Sequence, residues 1–162
     1  MARSGMLKPF ASSRYPPDMN ATLVKFGYPE SLVCDYRHWC VLLRPSQATL
    51  GALVLGAKGE DRAFSALSPE AFAELPLITY EIERGLKSFR PYDRINYLML
   101  MMVDPHVHFH VLPRYGTAQD YDGQSSADGG WPGVPDLKAA PQVSEETRLK
   151  ILRDLHASWP KG

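Results

Sequence analysis

Asp104-Pro105-His106-Val107-His108-Phe109-His110-Val111-Leu112-Pro113-Arg114 places three of the chain's five histidines at alternate positions. An extended strand sends successive side chains to opposite faces. His106, His108 and His110 would then line one face, while Val107, Phe109 and Val111 enter a core on the other. β-Branched and aromatic residues between the histidines suit a strand, and Pro105 and Pro113 stand at its ends, where proline is tolerated. Helical spacing would scatter the three rings around an axis. The stretch reads as an imidazole row on a rigid floor.

Working outward toward the N-terminus, Ile95–Val103 is uniformly apolar and reads as a central strand covered on both faces. Asp104-Pro105 would turn it directly into the histidine strand as an antiparallel hairpin, with the methionines of 99–102 as adaptable core beside the imidazoles. Ser68-Pro69-Glu70 opens a helix with a hydroxyl cap, proline at the first helical position and a carboxylate in the first turn. Phe72, Leu75, Ile78, Ile82, Leu86 and Phe89 give that helix one apolar stripe facing a sheet. Pro76 interrupts the stripe and should kink the helix near its second turn, unless the helix begins later; Arg90-Pro91 ends it. Further back, Trp39–Leu43 and Leu50–Leu55 are two apolar runs across a short polar turn, which reads as an adjacent antiparallel pair with Arg44, Gln47 and Thr49 between them. The segment 22–33, broken by Gly27 and Pro29, receives no assignment.

Beyond Tyr115, the stretch 116–142 is rich in Gly, Ser, Asp and Pro without a regular period. It is expected to be a long loop, docked in part through Trp131. Ser144-Glu145-Glu146 then starts a final helix carrying Leu149, Ile151, Leu152 and Leu155. His156 on that helix is expected to pack or face solvent. Residues 1–20 mix Ser, Pro and Arg and read as an N-terminal arm. The expected organisation is therefore an arm over 1–20, a core over 21–115, and a loop and helix over 116–162 packing on the same domain.

Composition limits the partners. A chain of 162 residues with 44% hydrophobic content can bury one good core and is short for two. Eighteen basic and eighteen acidic side chains cancel, so no global field draws a nucleic acid polymer or an anionic membrane, and an anionic ligand must be held by local groups. No run reaches the length of a membrane span, and the first residues lack the apolar core of a secretory signal. A cytoplasmic protein is expected. Cys34 and Cys40 are too few for a disulfide scaffold and are expected to be reduced. Their spacing is wider than that of structural zinc ligands.

Three chemistries remain open to such a row of imidazoles. Zinc ligation is one, although same-face residues roughly 7 Å apart along a strand diverge rather than converge on one ion. Nucleophilic attack on phosphorus is the second, and asks only that the rings be close. A neutral imidazole whose Nδ1–H is held by a backbone carbonyl presents the Nε2 lone pair that such attack needs. An exposed polar face is the third.

The run His106-Val107-His108-Phe109-His110-Val111-Leu112 resembles the signature of the histidine triad (HIT) superfamily, in which three histidines alternate with apolar residues. Leu112-Pro113-Arg114 continues as many of its members do. The looser order of elements extends the likeness over about residues 35–115. The resemblance implies an α+β fold with a five-stranded antiparallel sheet and one long helix packed on it, in a homodimer. It also implies cleavage or transfer at the α-phosphate of a nucleotide through a nucleotidyl-histidine. Carried over, His108 is the nucleophile, His106 orders the hydrogen bonds beneath it, and His110 lies near the phosphate or leaving oxygen. Histidine rather than glutamine at 110 favours the hydrolase-like branches.

The sequence also departs from that pattern. Met101-Met102-Val103 stands where many members carry a Gly-Gln or Gly-Ser pair that contacts the bridging oxygen. Gly51-Ala52 stands where a fourth histidine is usual. Arg44 falls near the place of an acidic or amide residue that holds ribose hydroxyls, and a guanidinium suits phosphate or carboxylate better than a diol. Arg44, Gln47 and Asn96 are the candidates for the ligand side. The resulting expectation is a nucleotide hydrolase or nucleotidyl-transfer enzyme acting on a dinucleoside polyphosphate or another nucleoside phosphate conjugate. No metal is required of the protein itself, and any magnesium enters with the substrate. The alternatives are a nucleotide-binding protein without efficient catalysis and a histidine-based metal-binding module.

Overall fold

The computed structural model describes residue 16, residues 19–138, residue 140 and residues 142–161. The expected arm over 1–20 lies almost wholly outside them. The architecture is α+β: β1 (Leu32–Asp35), β2 (Trp39–Leu43), β3 (Leu53–Ala57), β4 (Arg94–Leu98) and β5 (His108–Arg114) form one five-stranded sheet in the order β1-β2-β3-β5-β4. Every neighbouring pair is antiparallel. A short helix, α1 (Ala21–Lys25), precedes the sheet, α2 (Pro69–Phe89) links β3 to β4, and α3 (Glu145–Ser158) packs against α2 and β1. Among the described residues no helix is long and apolar enough to cross a membrane.

The two faces of the sheet carry different loads. Val41, Leu43, Leu53, Leu55 and Val111 point into the main core, where Ile78, Ile82 and Leu86 of α2 and Ile151 and Leu155 of α3 meet them. Burying each of these α2 side chains contributes about 2 kcal/mol. The opposite face holds a smaller cluster of Cys40, Leu42 and Val54 under Leu23 and Phe26. Gly56 of β3 stands directly opposite His108, and a Cβ there would lie 2.2 Å from Leu23 Cδ2. The missing side chain is what lets α1 settle onto this face.

The helix boundaries follow the sequence signals. Ser68 Oγ accepts from Ala71 N at 3.1 Å, and Ser144 Oγ accepts from Thr147 N at 3.1 Å. Helix α2 runs on through Pro76 rather than starting after it, with Thr79 Oγ1 donating to Leu75 O at 2.8 Å on the next turn. Phe72, expected in the buried stripe, is partly exposed and packs on Phe64, with ring centroids 5.0 Å apart. His156 is exposed and its Nε2 lies 2.8 Å from Leu32 O. Cys34 and Cys40 form no disulfide.

Three expectations change. First, Ile95–Val103 is not a doubly covered central strand: β4 stops at Leu98 and forms an edge of the sheet. The expected tight Asp104-Pro105 turn is instead a longer irregular link, in which Met101 has a positive φ of 46°. Within it Met102 and Val103 stand 86% and 83% exposed, while Met99 and Met101 lean on the main core. An apolar run without alternation does not distinguish a covered strand from an apolar loop. Second, Pro113 lies inside β5, opposite Ile95. It is tolerated because the β3 pairing has already ended at Val111, leaving β5 one neighbour there. Third, the segment 116–142 carries a small hairpin, β6 (Gln119–Tyr121) and β7 (Gln124–Ser126), turned by Asp122 and Gly123 at φ 51° and 74°. That dipeptide is a hairpin signal.

Candidate active site

Strand alternation places His108 and His110 as the pattern requires, but β5 begins at His108, and His106, expected on the same strand, lies in the bend before it. Val107 and Val111 are buried in the main core and Phe109 packs against it, while the histidines occupy the face under α1. His108 Nδ1 lies 2.7 Å from His106 O. A carbonyl only accepts, so Nδ1 carries the hydrogen and the Nε2 lone pair is free. The His106 ring turns the other way: Nδ1 lies 2.8 Å from Thr22 Oγ1 and Nε2 lies 3.1 Å from Glu60 Oε2. An ionised carboxylate also only accepts, so Nε2–H donates to Glu60 and the Thr22 hydroxyl donates to Nδ1. His106 thus positions His108 through its backbone carbonyl, while its ring pins α1 to the sheet.

Helix α1 is tied down at several points. Asn20 Nδ2 donates to Ala57 O at 3.0 Å and Gly59 O at 2.7 Å, and Lys25 pairs with Asp104 at 2.6 Å. Phe26, which caps the helix, sets its ring 5.5 Å from that of His108 and 5.6 Å from that of His110. The rings of His108 and His110 meet edge to face at 5.1 Å. His108 is 1% exposed and His110 7%. The imidazoles are therefore grouped and oriented, with Phe26 as their cover.

Solved structures with this arrangement of elements decide the fold. A histidine triad (HIT) protein from Sinorhizobium meliloti 1021 superposes with a TM-score of 0.67 at 20% identity, covering 86% of this chain and 95% of that one. The chain has the histidine triad fold. A histidine triad protein from Bradyrhizobium japonicum gives 0.65 at 17% identity, over 87% and 96% of the two chains. Another from Marinobacter aquaeolei VT8 gives 0.63 at 21% identity, over 79% and 87%. No protein-family model and no curated protein matches the chain.

Within the triad fold, the candidate ligand residues separate. Arg44 follows β2 on the histidine face, its backbone N donating to Ala52 O at 3.0 Å, and its charge reaches His110. Its Nη1 donates to Ser46 O, and burial lowers the pKa of its guanidinium. Gln47 has its amide committed to the turn between β2 and β3. Nε2 donates to Arg44 O at 2.7 Å and to Ala52 O at 3.0 Å, and Oε1 accepts from Gly51 N at 2.8 Å. It shapes the loop that carries Arg44, with both amide atoms engaged by the backbone. Asn96 stands farther along β4, accepting from Arg114 Nη1 at 2.7 Å. With Arg94, Arg114, Trp131, Pro132 and Gly133 it lines a separate cleft of about 330 Å³. Among the described residues no group of three or more His, Cys, Asp or Glu side chains is placed to hold a metal ion. The triad rings make their close contacts with Thr22, Glu60, Phe26 and each other instead.

Electrostatics set the state of the third histidine. Burial, then the charge of Arg44 and the neighbouring His108, push the His110 imidazole down to about 4, with Asp104 pulling the other way. At neutral pH the ring is uncharged. The unfolded chain takes up this proton near 6.5, so between about 4 and 6.5 the unfolded state binds more protons than the native one. Stability therefore falls as pH drops through that window and is fully present above it. Denaturant midpoints of His110→Asn should lose roughly 2 kcal/mol less than those of the parent between pH 7 and pH 4.5. Equal losses would mean that His110 titrates normally.

Thr22, Phe26 and Glu60 had no local signal in the sequence. Thr22 and His106 are 84 residues apart. Phe26→Ala should cost about 3 kcal/mol of stability and uncover both rings, so that diethyl pyrocarbonate modifies His108 faster than in the parent. An unchanged modification rate would show that Phe26 does not limit access.

Proposed function

We propose that the protein is a nucleotide hydrolase or nucleotidyl-transfer enzyme. Its substrate would be a dinucleoside polyphosphate or another nucleoside phosphate conjugate, cleaved at the α-phosphate. The observation that carries this reading is the His108 tautomer: Nδ1–H donates to the His106 carbonyl, so Nε2 is the nucleophilic nitrogen. In the first step Nε2 bonds to phosphorus and the bond to the leaving oxygen breaks, its electron pair going with the leaving group. In the second, water or another hydroxyl acceptor attacks phosphorus and gives up its proton to solvent, the N–P bond breaks, and Nε2 recovers its lone pair. Two displacements replace one difficult displacement.

His106 acts as a positioning residue through its carbonyl. His110, uncharged before substrate arrives, is poised to donate a hydrogen bond rather than a formal proton, which favours leaving groups that are stable as anions. No metal is required of the protein in either step, and any magnesium arrives with the phosphates. The chain is proposed to act as a homodimer in the cytoplasm.

The test is trapping. Intact protein is quenched in acid-free denaturant after mixing with a panel of nucleotide conjugates, then weighed by mass spectrometry, and the adduct is mapped to His108. Binding without any adduct or product across the panel would favour the second reading, a nucleotide-binding protein without efficient catalysis. The closed cover over His108, 1% exposed, is the observation on the side of that alternative.

A further inference from the structure

Among the described residues, two buried polar atoms on the histidine face have no hydrogen-bond partner: Nδ1 of His110 and Nε of Arg44. His110 is 7% exposed, so an unpartnered nitrogen there is costly unless something pairs with it. The two residues belong to one neighbourhood. His110 stands opposite Val54, which stands opposite Leu42, and Arg44 extends that strand by two positions on the same face. β3 lies between the two, so their backbones are separated by two strand spacings, roughly 10 Å, as well as by two residues of strand, roughly 7 Å. The arginine side chain covers part of that distance, and its charge acts on the His110 ring.

Position along the face then distinguishes Arg44 from the triad. The rows of His108, His110 and Arg44 follow one another along the face, with Arg44 two strands across from β5, so a phosphorus atom at His108 Nε2 has His110 beside it and the Arg44 charge on the side toward β2. A guanidinium offers several fixed N–H donors suited to phosphate oxygens, and Ser46 O occupies only Nη1. We infer that Arg44, with His110 Nδ1, forms an anion subsite next to the reacting centre, so that the preferred substrate carries a second phosphate there. This rests on the nucleotidyl reading for the reacting phosphorus, but the subsite itself is an anion-binding property that can be measured without turnover. The second phosphate has two sources, the phosphate chain and a phosphorylated sugar. Both present anionic phosphate oxygens to the guanidinium.

The test is calorimetric titration of the parent, Arg44→Gln and Arg44→Lys, each checked for native near-UV circular dichroism. The ligands are adenosine 5′-monophosphate, adenosine 5′-diphosphate, adenosine 3′,5′-bisphosphate, inorganic phosphate and inorganic pyrophosphate. In the parent, a nucleotide with a second phosphate should bind roughly 10-fold or more tightly than the monophosphate. Arg44→Gln should erase that preference and Arg44→Lys keep part of it. Preference for the diphosphate assigns the second group to the chain, and preference for the bisphosphate assigns it to the sugar. Equal affinities in the parent, or a preference that survives Arg44→Gln, overturn the subsite. If nucleotides do not bind but an Arg44-dependent preference for pyrophosphate over phosphate persists, the subsite stands and the nucleotidyl reading falls. If nothing binds the parent, both fall.

Discussion

His108→Ala should remove turnover while leaving the sheet standing, with kcat/KM on any substrate of this site falling by about 10⁴-fold or more, as expected when a covalent nucleophile is deleted. The nucleotide adduct on the intact protein should disappear with it. The structural cost is modest by comparison. The His106 carbonyl loses the donor it holds at 2.7 Å, worth about 1 kcal/mol, and Phe26 loses one of its two ring neighbours. Far-ultraviolet circular dichroism and the denaturant m-value should therefore match the parent. Turnover within a few fold of the parent would remove His108 from the chemistry.

The second large effect concerns stability and lies far along the same strand. Arg114 ends β5 with its guanidinium fully engaged. Nε and Nη2 donate to Asp128 at 2.5 and 3.0 Å, Nη1 donates to Asn96 Oδ1 at 2.7 Å, and Gly133 O accepts from Nη1 and Nη2, each at 3.1 Å. The two side chains of the ion pair are 4% and 1% exposed. Removing one partner of such a buried pair leaves an uncompensated charge, so Asp128→Ala should cost about 3–5 kcal/mol. Replacing both partners, as in Arg114→Met with Asp128→Leu, should recover much of that, because two desolvated charges are traded for apolar contact. Chemical denaturation of the three variants checks the pattern. A loss below about 1 kcal/mol for Asp128→Ala would mean that the loop around Trp131 is held by something other than this pair.

These two results bear on different parts of what could be read before folding. The common face of His108 and His110 was legible because strand alternation is a local property: residues two apart share a face whatever the rest of the chain does. The same is true of the capped starts of α2 and α3 at Ser68 and Ser144, and of the antiparallel β2–β3 pair. Resemblance to the histidine triad pattern pointed to the sheet, and the superposed structures support it at the level of fold.

Legibility failed where apolarity has more than one use. Leu100–Val103 looked like buried strand and is a link in which Leu100, Met102 and Val103 are exposed, because the pairing of β4 with β5 ends at Leu98 opposite His110, and no local signal marks that last rung. The Asp122-Gly123 hairpin was within reach of turn chemistry alone, and was hidden by the surrounding Gly- and Ser-rich composition. Gln47 was a fair ligand candidate by residue type, yet its amide is committed to the turn that carries Arg44.

By itself the sequence determined that His108 and His110 share one face of a strand whose other face is core, since that follows from a two-residue period and the order of polar and apolar side chains. Only the tertiary structure decided which nitrogen of His108 is free, that Thr22 and Glu60 bracket the His106 ring, that Phe26 covers the pair, and that the charge of Arg44 acts on His110 while the Gln47 and Asn96 amides are engaged by the chain itself. Those outcomes depend on contacts between residues far apart in the chain, and on hydrogen-bond donors and acceptors finding partners once water is excluded. No local pattern of residue types records them.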